Sequence, residues 1–195
     1  MGSAVSFFAL RESNRLPLLY SSLLTVHLIG LAIGLGGATI GDLLMLRTVV
    51  RRQPHPTMLL RDLSLAIWFG LAILTASGLA LFAESPEPLL HNSGFIAKMV
   101  VVAVLMLNGV FLHRQLPVFK LSGGTLLAGA ISSVSWYGAL LLAMFKTRFH
   151  LELTDYLGIY VAAVFLVWTG YTKVQSYWLR KESAPPVTQS RVPVA

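Results

Sequence analysis

Five stretches of about twenty consecutive apolar residues constrain the fold of this 195-residue chain more than any other feature. A bilayer core about 30 Å thick is crossed by about 20 apolar residues in helical form. The runs are too long for barrel strands and lack the alternation of polar and apolar residues that such strands show. The sequence therefore predicts an all-α integral membrane bundle of five transmembrane helices, over residues 18–46, 63–83, 94–112, 125–145 and 156–178.

Composition supports a single membrane domain. Hydrophobic residues make up 55% of the chain, charged residues only 12%, and the mean hydropathy is +0.72. These values are typical of an integral membrane protein rather than a soluble domain. We expect a transmembrane domain over residues 18–180, preceded by an interfacial segment over 1–17. The Pro- and Ser-containing segment 181–195 is expected to be a disordered cytoplasmic tail.

The distribution of lysine and arginine predicts the topology. Ten of the fifteen basic residues follow the first, third and fifth apolar runs, and five lie at the opposite ends. The positive-inside rule then places the N-terminus outside and the C-terminus in the cytoplasm. The net charge of +7 collects at the ends of apolar runs, where it favours contact with lipid headgroups. We therefore expect the lipid bilayer, and not nucleic acid, as the partner of these charges.

The chain contains no cysteine, which excludes several kinds of site. Disulfides, thiolate metal sites, iron–sulfur clusters and covalently attached c-type haem all require cysteine. Histidine, methionine and carboxylate side chains remain as the groups that can hold a metal ion well.

The first apolar run contains a stripe of glycines that begins at a histidine. In "HLIGLAIGLGGATIGD" the spacings from residue 27 are 3, 4, 3 and 4, so one helical face carries all five residues. This glycine stripe is defined by Gly30, Gly34, Gly37 and Gly41. Glycine costs about 1 kcal/mol relative to alanine inside a helix, so the pattern predicts that something approaches the backbone closely.

Two interpretations of the stripe stay open. The GxxxG pairs are a common device for close contact between membrane helices, with His27 hydrogen-bonded to a neighbouring helix. Alternatively, a flat haem lies against the stripe with His27 as its axial ligand, because neutral imidazole is a standard ligand of haem iron. The second interpretation predicts a cofactor site made by His27, Gly30, Gly34, Gly37 and Lys98.

Topology divides the histidines between the two faces of the membrane. His27, His91 and His150 are expected at the outer face, where three imidazoles can hold a metal ion such as copper. His91 is the first candidate for a second axial haem ligand, ahead of His150 and Met99. Lys98 is expected at the same level, where it either snorkels to the headgroups or pairs with a propionate or another anion.

Other polar residues inside the apolar runs are expected to tie helices together. Asn108 lies deep in the third run, and the fourth run carries three serines. Asp42, one residue beyond the glycine stripe, is expected to mark the cytoplasmic boundary of the first helix. The three serines are Ser132, Ser133 and Ser135.

Two segments resemble the CopD-like and HemJ-like superfamily of bacterial membrane proteins. "HLIGLAIGLGGATIGDLLMLR" is similar to its first conserved helix, in which a histidine precedes a GG pair. "GFIAKMVVVAVLMLNGVFLHRQLPVF" is similar to a helix that starts near a lysine and ends with Asn, basic residues and Pro. The matching residues in this chain are His27, Gly36, Gly37, Lys98, Asn108, Arg114 and Pro117.

The resemblance implies a function and a location. CopD-like proteins are associated with copper handling in bacterial inner membranes, and HemJ-like proteins carry haem b and are linked to protoporphyrinogen oxidation. By this resemblance His27 is expected to be a haem ligand and Lys98 a functional residue. We expect a haem-b-binding protein of the bacterial inner membrane with a redox or electron-transfer role at the outer leaflet, of which an oxidoreductase activity is one form.

Two alternatives to this function stay open. The first is copper handling or transport through the three outer histidines. The second is a non-catalytic structural or assembly subunit, whose glycine stripe packs on a helix of another protein in a membrane complex. A membrane redox partner or other subunits of a membrane complex are expected as partners.

Overall fold

The chain forms six helices in a computed structural model that describes residues 2–51, 57–84, 86–115, 122–145 and 151–183. No strand occurs within these ranges. In chain order the helices are α1 (Gly2–Arg51), α2 (Thr57–Glu84), α3 (Pro86–Leu90), α4 (Ser93–Gln115), α5 (Gly123–Phe145) and α6 (Leu153–Ser183).

Five of these helices are long and apolar enough to cross a membrane, which confirms the predicted fold class. Each contains one of the predicted spans almost whole and extends it by a few residues, because helical geometry continues past the last apolar residue. The spanning segments are Leu18–Val50, Met58–Glu84, Ser93–Gln115, Gly123–Met144 and Leu153–Arg180. The short helix α3 was not predicted, since five residues in a proline-containing connection carry no periodic signal.

The predicted flanking segments are described only in part. From Gly2 the backbone of the expected interfacial segment continues directly into α1 as one helix. Residues 181–183 end α6, and residues 184–195 of the expected tail lie outside the described residues. The placement of the N-terminus outside and the C-terminus in the cytoplasm stays a prediction.

The helices pack around α1 and α5. Helix α1 makes its most extensive contact with α2, while α5 contacts α4, α6 and α1. Helix α6 also reaches α1 and α4. Trp136 of α5, only 2% exposed, lies at the centre of a buried cluster with Ala38, Leu71 and Leu105. This cluster joins α1, α2, α4 and α5. It therefore holds together the helices that carry the candidate site.

Large apolar side chains cover the outside of the bundle. Phe69 is 62% exposed, and Leu107 and Leu166 are each 73% exposed. In water such a surface would be an extended apolar patch, whereas hydrocarbon solvates it without penalty. The exterior therefore agrees with a lipid bilayer as the surroundings of this multi-pass protein.

Polar side chains inside the bundle join helices, as the sequence predicts. Asn108 Nδ2 donates a hydrogen bond to the carbonyl oxygen of Ala128 at 2.8 Å, which links α4 to α5. The hydroxyls of Ser135 and Tyr160 lie 2.8 Å apart and link α5 to α6. In a membrane each such bond holds a polar group that hydrocarbon would leave unsatisfied.

Candidate functional site

The imidazole of His27 lies between α1 and α2. His27 is half-buried, and its Nδ1 is 3.0 Å from the hydroxyl oxygen of Ser77, a buried residue of α2. The backbone of Leu74 is a further hydrogen-bond partner of the ring. Gly78 leaves room for the imidazole, because a Cβ at that position would lie 3.3 Å from His27 Cε1. The Ser77–Gly78 pair is therefore the part of α2 against which the imidazole of His27 packs.

The hydrogen bonds of Ser77 decide which nitrogen of His27 carries the proton. The Ser77 hydroxyl donates to the carbonyl oxygen of Ile73 at 2.6 Å, so its oxygen is left to accept a hydrogen bond. His27 Nδ1–H is then the donor, and Nε2 keeps its lone pair. Metal-binding histidines characteristically donate one ring N–H to a protein oxygen while the other nitrogen binds the metal. The geometry of His27 fits this arrangement.

Lys98 of α4 stands close enough to His27 for their charges to interact. Lys98 is half-buried and lies one turn after Phe95, whose ring stacks on Phe82 of α2 at a centroid distance of 5.8 Å. The stack joins the start of α4 to the end of α2. Lys98 and His27 therefore lie near each other in the bundle, and their expected place at the outer face stays a prediction.

The other predicted metal ligands are not gathered around His27 by the part of the chain that the structure describes. His91 is exposed on the turn before α4, and its Nδ1 forms a hydrogen bond of 2.9 Å with the carbonyl oxygen of Glu87. His150 lies outside the described residues. No group of three His, Cys, Asp or Glu side chains suited to a metal ion occurs among the residues described.

The glycine stripe lies against α2. A Cβ on Gly30 would be 2.8 Å from Ile73 Cγ2, and one on Gly37 would be 3.0 Å from Ile67 Cγ1. Gly70 of α2 faces the stripe, and a Cβ there would be 2.7 Å from the Cα of Gly34. The closest approach of α1 and α2 therefore depends on glycine in both helices, as expected of GxxxG-type packing.

The ring of Trp136 covers the side of Gly34 that α2 leaves open. A Cβ on Gly34 would collide with this ring at Cη2 and would lie 3.1 Å from its Cζ3. Gly34 is therefore enclosed by Gly70 on one side and an indole on the other. By contrast, Gly36 and Gly41 have no described atom within 4 Å of a Cβ position.

These contacts bear on both interpretations of the stripe. Gly30, Gly34 and Gly37 meet protein atoms, so they do not fit a macrocycle lying flat against them, and helix packing accounts for their spacing. Because α2 and Trp136 cover Gly30, Gly34 and Gly37, these three glycines form no docking face for a helix of another protein, whereas Gly41 has no described atom within 4 Å of its Cβ position. The covered glycines hold α2 at the distance at which Ser77 reaches His27.

A second polar centre lies further along α1. The carboxylate of Asp42 lies against α5, eight residues before the end of the spanning segment at Val50. Asp42 Oδ2 accepts a hydrogen bond of 2.8 Å from Ser133 Oγ. The expectation that Asp42 marks the cytoplasmic boundary of the first helix stays a prediction, and the contact with Ser133 is one that the sequence did not indicate.

Comparison with known proteins gives no further constraint, because neither a protein-family model, nor a curated protein, nor a solved structure matches this chain. The similarity to CopD-like and HemJ-like proteins therefore rests on the two quoted segments.

Proposed function

We propose that this multi-pass membrane protein binds haem b through His27 and serves a redox or electron-transfer role. The observation that carries the proposal is the hydrogen-bond chain from His27 Nδ1 through Ser77 to the carbonyl oxygen of Ile73. An ionisable residue inside a membrane span is a functional candidate by default. A histidine whose protonated nitrogen is fixed by the protein presents its other nitrogen as a ligand.

Three side chains have distinct tasks in this proposal. His27 Nε2 would hold the haem iron, and Ser77 fixes the orientation of the ring. Lys98 supplies a positive charge near the ligand, suited to an anionic substituent such as a propionate. When bound, the haem supplies one-electron redox chemistry, which the axial ligand and its hydrogen bonds tune.

The packing of α1 against α2 restricts the direction from which haem can approach His27. Because α2 covers Gly30, Gly34 and Gly37, haem must reach His27 from a side other than the contact between α1 and α2. The proposal assigns one ligand, His27, because His91 is exposed on the turn before α4 and is not gathered around His27. The setting that we propose is the outer leaflet of a bacterial inner membrane, in contact with a redox partner in that membrane.

A visible spectrum of the detergent-purified protein tests the proposal. We expect a Soret band that His27→Ala abolishes. Ser77→Ala should keep the Soret band but shift the reduction potential of the haem. His113→Ala is the matched control, because His113 Nδ1 also contacts a serine of α2, at 2.9 Å from Ser64 Oγ. Ser64 and Ser77 are thirteen residues apart, about 20 Å along the helix, so His113 belongs to another level of the bundle.

Three results would overturn the proposal. Colourless protein that takes up no added haem would refute haem binding. Copper found by elemental analysis of protein without a Soret band would instead favour copper handling. A Soret band lost equally in His27→Ala and His113→Ala would show that the band does not depend on the His27 site.

A further inference from the structure

The carboxylate of Asp42 is directed into the bundle, toward hydroxyl-bearing residues of two other helices. Ser133 of α5 donates to Asp42 Oδ2 at 2.8 Å, and its Oγ is also 3.0 Å from the carbonyl oxygen of Gly129. Tyr171 of α6 lies close enough to Ser133 and Asp42 to interact with both. Residues of α1, α5 and α6 thus meet at this carboxylate.

Within the described ranges, the polar groups beside Asp42 are hydroxyls, and no paired positive charge is found there. Ser133 is the polar neighbour from α5 and Tyr171 the one from α6. The charged residues of α1 and α2 nearest this end of the bundle are exposed: Arg47, Arg61 and Asp62. Among the described residues no lysine or arginine contributes to the electrostatics of Asp42.

An ionised carboxylate that is removed from water without a paired cation carries a large free-energy penalty. Two neutral hydroxyls offset only part of this penalty, because each supplies a dipole rather than a full charge. Binding a proton removes the charge altogether. Binding a proton therefore relieves Asp42 of a penalty that a surface carboxylate, which is solvated by water, does not have.

We propose that Asp42, Ser133 and Tyr171 form a proton-binding site embedded in the membrane-spanning part of the bundle. A proton from water adds to Oδ1 of the carboxylate and forms the neutral acid, while Ser133 keeps donating to Oδ2. Release returns the proton to water and regenerates the carboxylate. Serine and tyrosine hydroxyls can donate or accept, so both protonation states find partners.

This site is separate from the proposed haem ligand. Asp42 follows His27 by fifteen residues, about 22 Å along α1. The proton site stands even if the protein binds no haem, and haem binding at His27 stands even if Asp42 binds no proton. The proton site therefore adds an activity of a different class, the exchange of a proton between the bundle interior and water.

Infrared difference spectroscopy of the purified full chain, recorded as the pH is lowered, tests the proposal. We expect a carbonyl band of a protonated carboxylic acid that Asp42→Asn removes. Asp62→Asn is the matched control and leaves the Asp42 band in place. Ser133→Ala and Tyr171→Phe shift its frequency or its midpoint without removing it.

Isotopic labelling of aspartate carboxyl carbons in the unaltered protein gives a measurement that does not depend on a folded variant. The label must shift the band that Asp42→Asn removes, which assigns it to aspartate rather than glutamate. If no protonated-acid band that depends on Asp42 appears over the pH range in which the protein stays folded, the proposal is refuted. If sodium at constant pH and ionic strength removes the band, the ligand is a monovalent cation and the proposal is likewise overturned.

Discussion

Replacing Gly70 by alanine tests the close packing of α1 and α2 on which the His27 site depends. A Cβ at Gly70 would collide with the amide nitrogen of Gly34, and it would lie 2.7 Å from the Cα of Gly34 and 2.8 Å from the carbonyl oxygen of Gly30, whereas ordinary contact begins at 3.4 Å. The shortfalls at the latter two atoms are 0.7 and 0.6 Å, so the helices must separate by at least about 0.7 Å. All three neighbours are backbone atoms, so no side-chain rotation relieves the collision.

The separation has a cost that follows from the geometry. Overpacking costs about 1–3 kcal/mol. Moving α1 away from α2 by about 0.7 Å also lengthens the contact between His27 and Ser77 from 3.0 Å to about 3.7 Å, beyond hydrogen-bond range. Loss of an interhelical hydrogen bond in a membrane protein adds about 0.6 kcal/mol. The higher helix propensity of alanine offsets up to about 1 kcal/mol of this cost. The free energy of unfolding should therefore fall by about 0.6–2.6 kcal/mol in total.

Gly36→Ala is the matched control, because no described atom lies within 4 Å of its Cβ position. It shares the gain in helix propensity, so the two variants should differ by about 1.6–3.6 kcal/mol. The free energy of unfolding is measured by titrating the protein in mild detergent with sodium dodecyl sulfate and following helical circular dichroism. Equal stability of Gly70→Ala and Gly36→Ala would refute the packing argument.

Three further substitutions are checked by the same unfolding titration. Trp136→Ala should destabilise the bundle by about 3–5 kcal/mol, because the indole is 2% exposed and fills the centre of the core. Asn108→Leu should cost about 0.6–1.7 kcal/mol, since it removes the hydrogen bond to Ala128 that joins α4 to α5. Tyr160→Phe should cost about 0.6 kcal/mol through loss of the bond to Ser135.

Each of these substitutions has a control on the exposed surface. Leu141→Ala, Leu107→Ala and Tyr177→Phe alter side chains that are 52%, 73% and 63% exposed, respectively, and should change stability little. A variant from the interior that is no less stable than its control would contradict the contact assigned to it.

The five spanning helices are predictable from the sequence because their cause is local. A helix that crosses hydrocarbon satisfies its backbone internally, so the length of each apolar run sets the length of the element. The predicted run 94–112 lies within Ser93–Gln115, and the run 63–83 lies within Met58–Glu84. Helix α3 was not predicted, because five residues are too few to show a periodic pattern.

The candidate sites depend on pairings that the local pattern does not contain. The GxxxG spacing predicts close contact at Gly34, but nothing near it in the sequence indicates Gly70 or Trp136 as its neighbours. Ser77 lies fifty residues from His27 and Ser133 ninety-one from Asp42. The one signal available for Ser77 was its place beside Gly78 in an otherwise apolar run.

The sequence by itself determined that this protein is a bundle of five apolar helices with a histidine and a smooth glycine face on α1. Hydrophobic length and residue spacing act within one helix, so they can be read along the chain. Only the tertiary structure decided that α2 covers the glycines, that Ser77 orients His27, and that Asp42 points inward to Ser133. These outcomes depend on which helices meet and at what rotation, because side-chain packing between distant segments selects both.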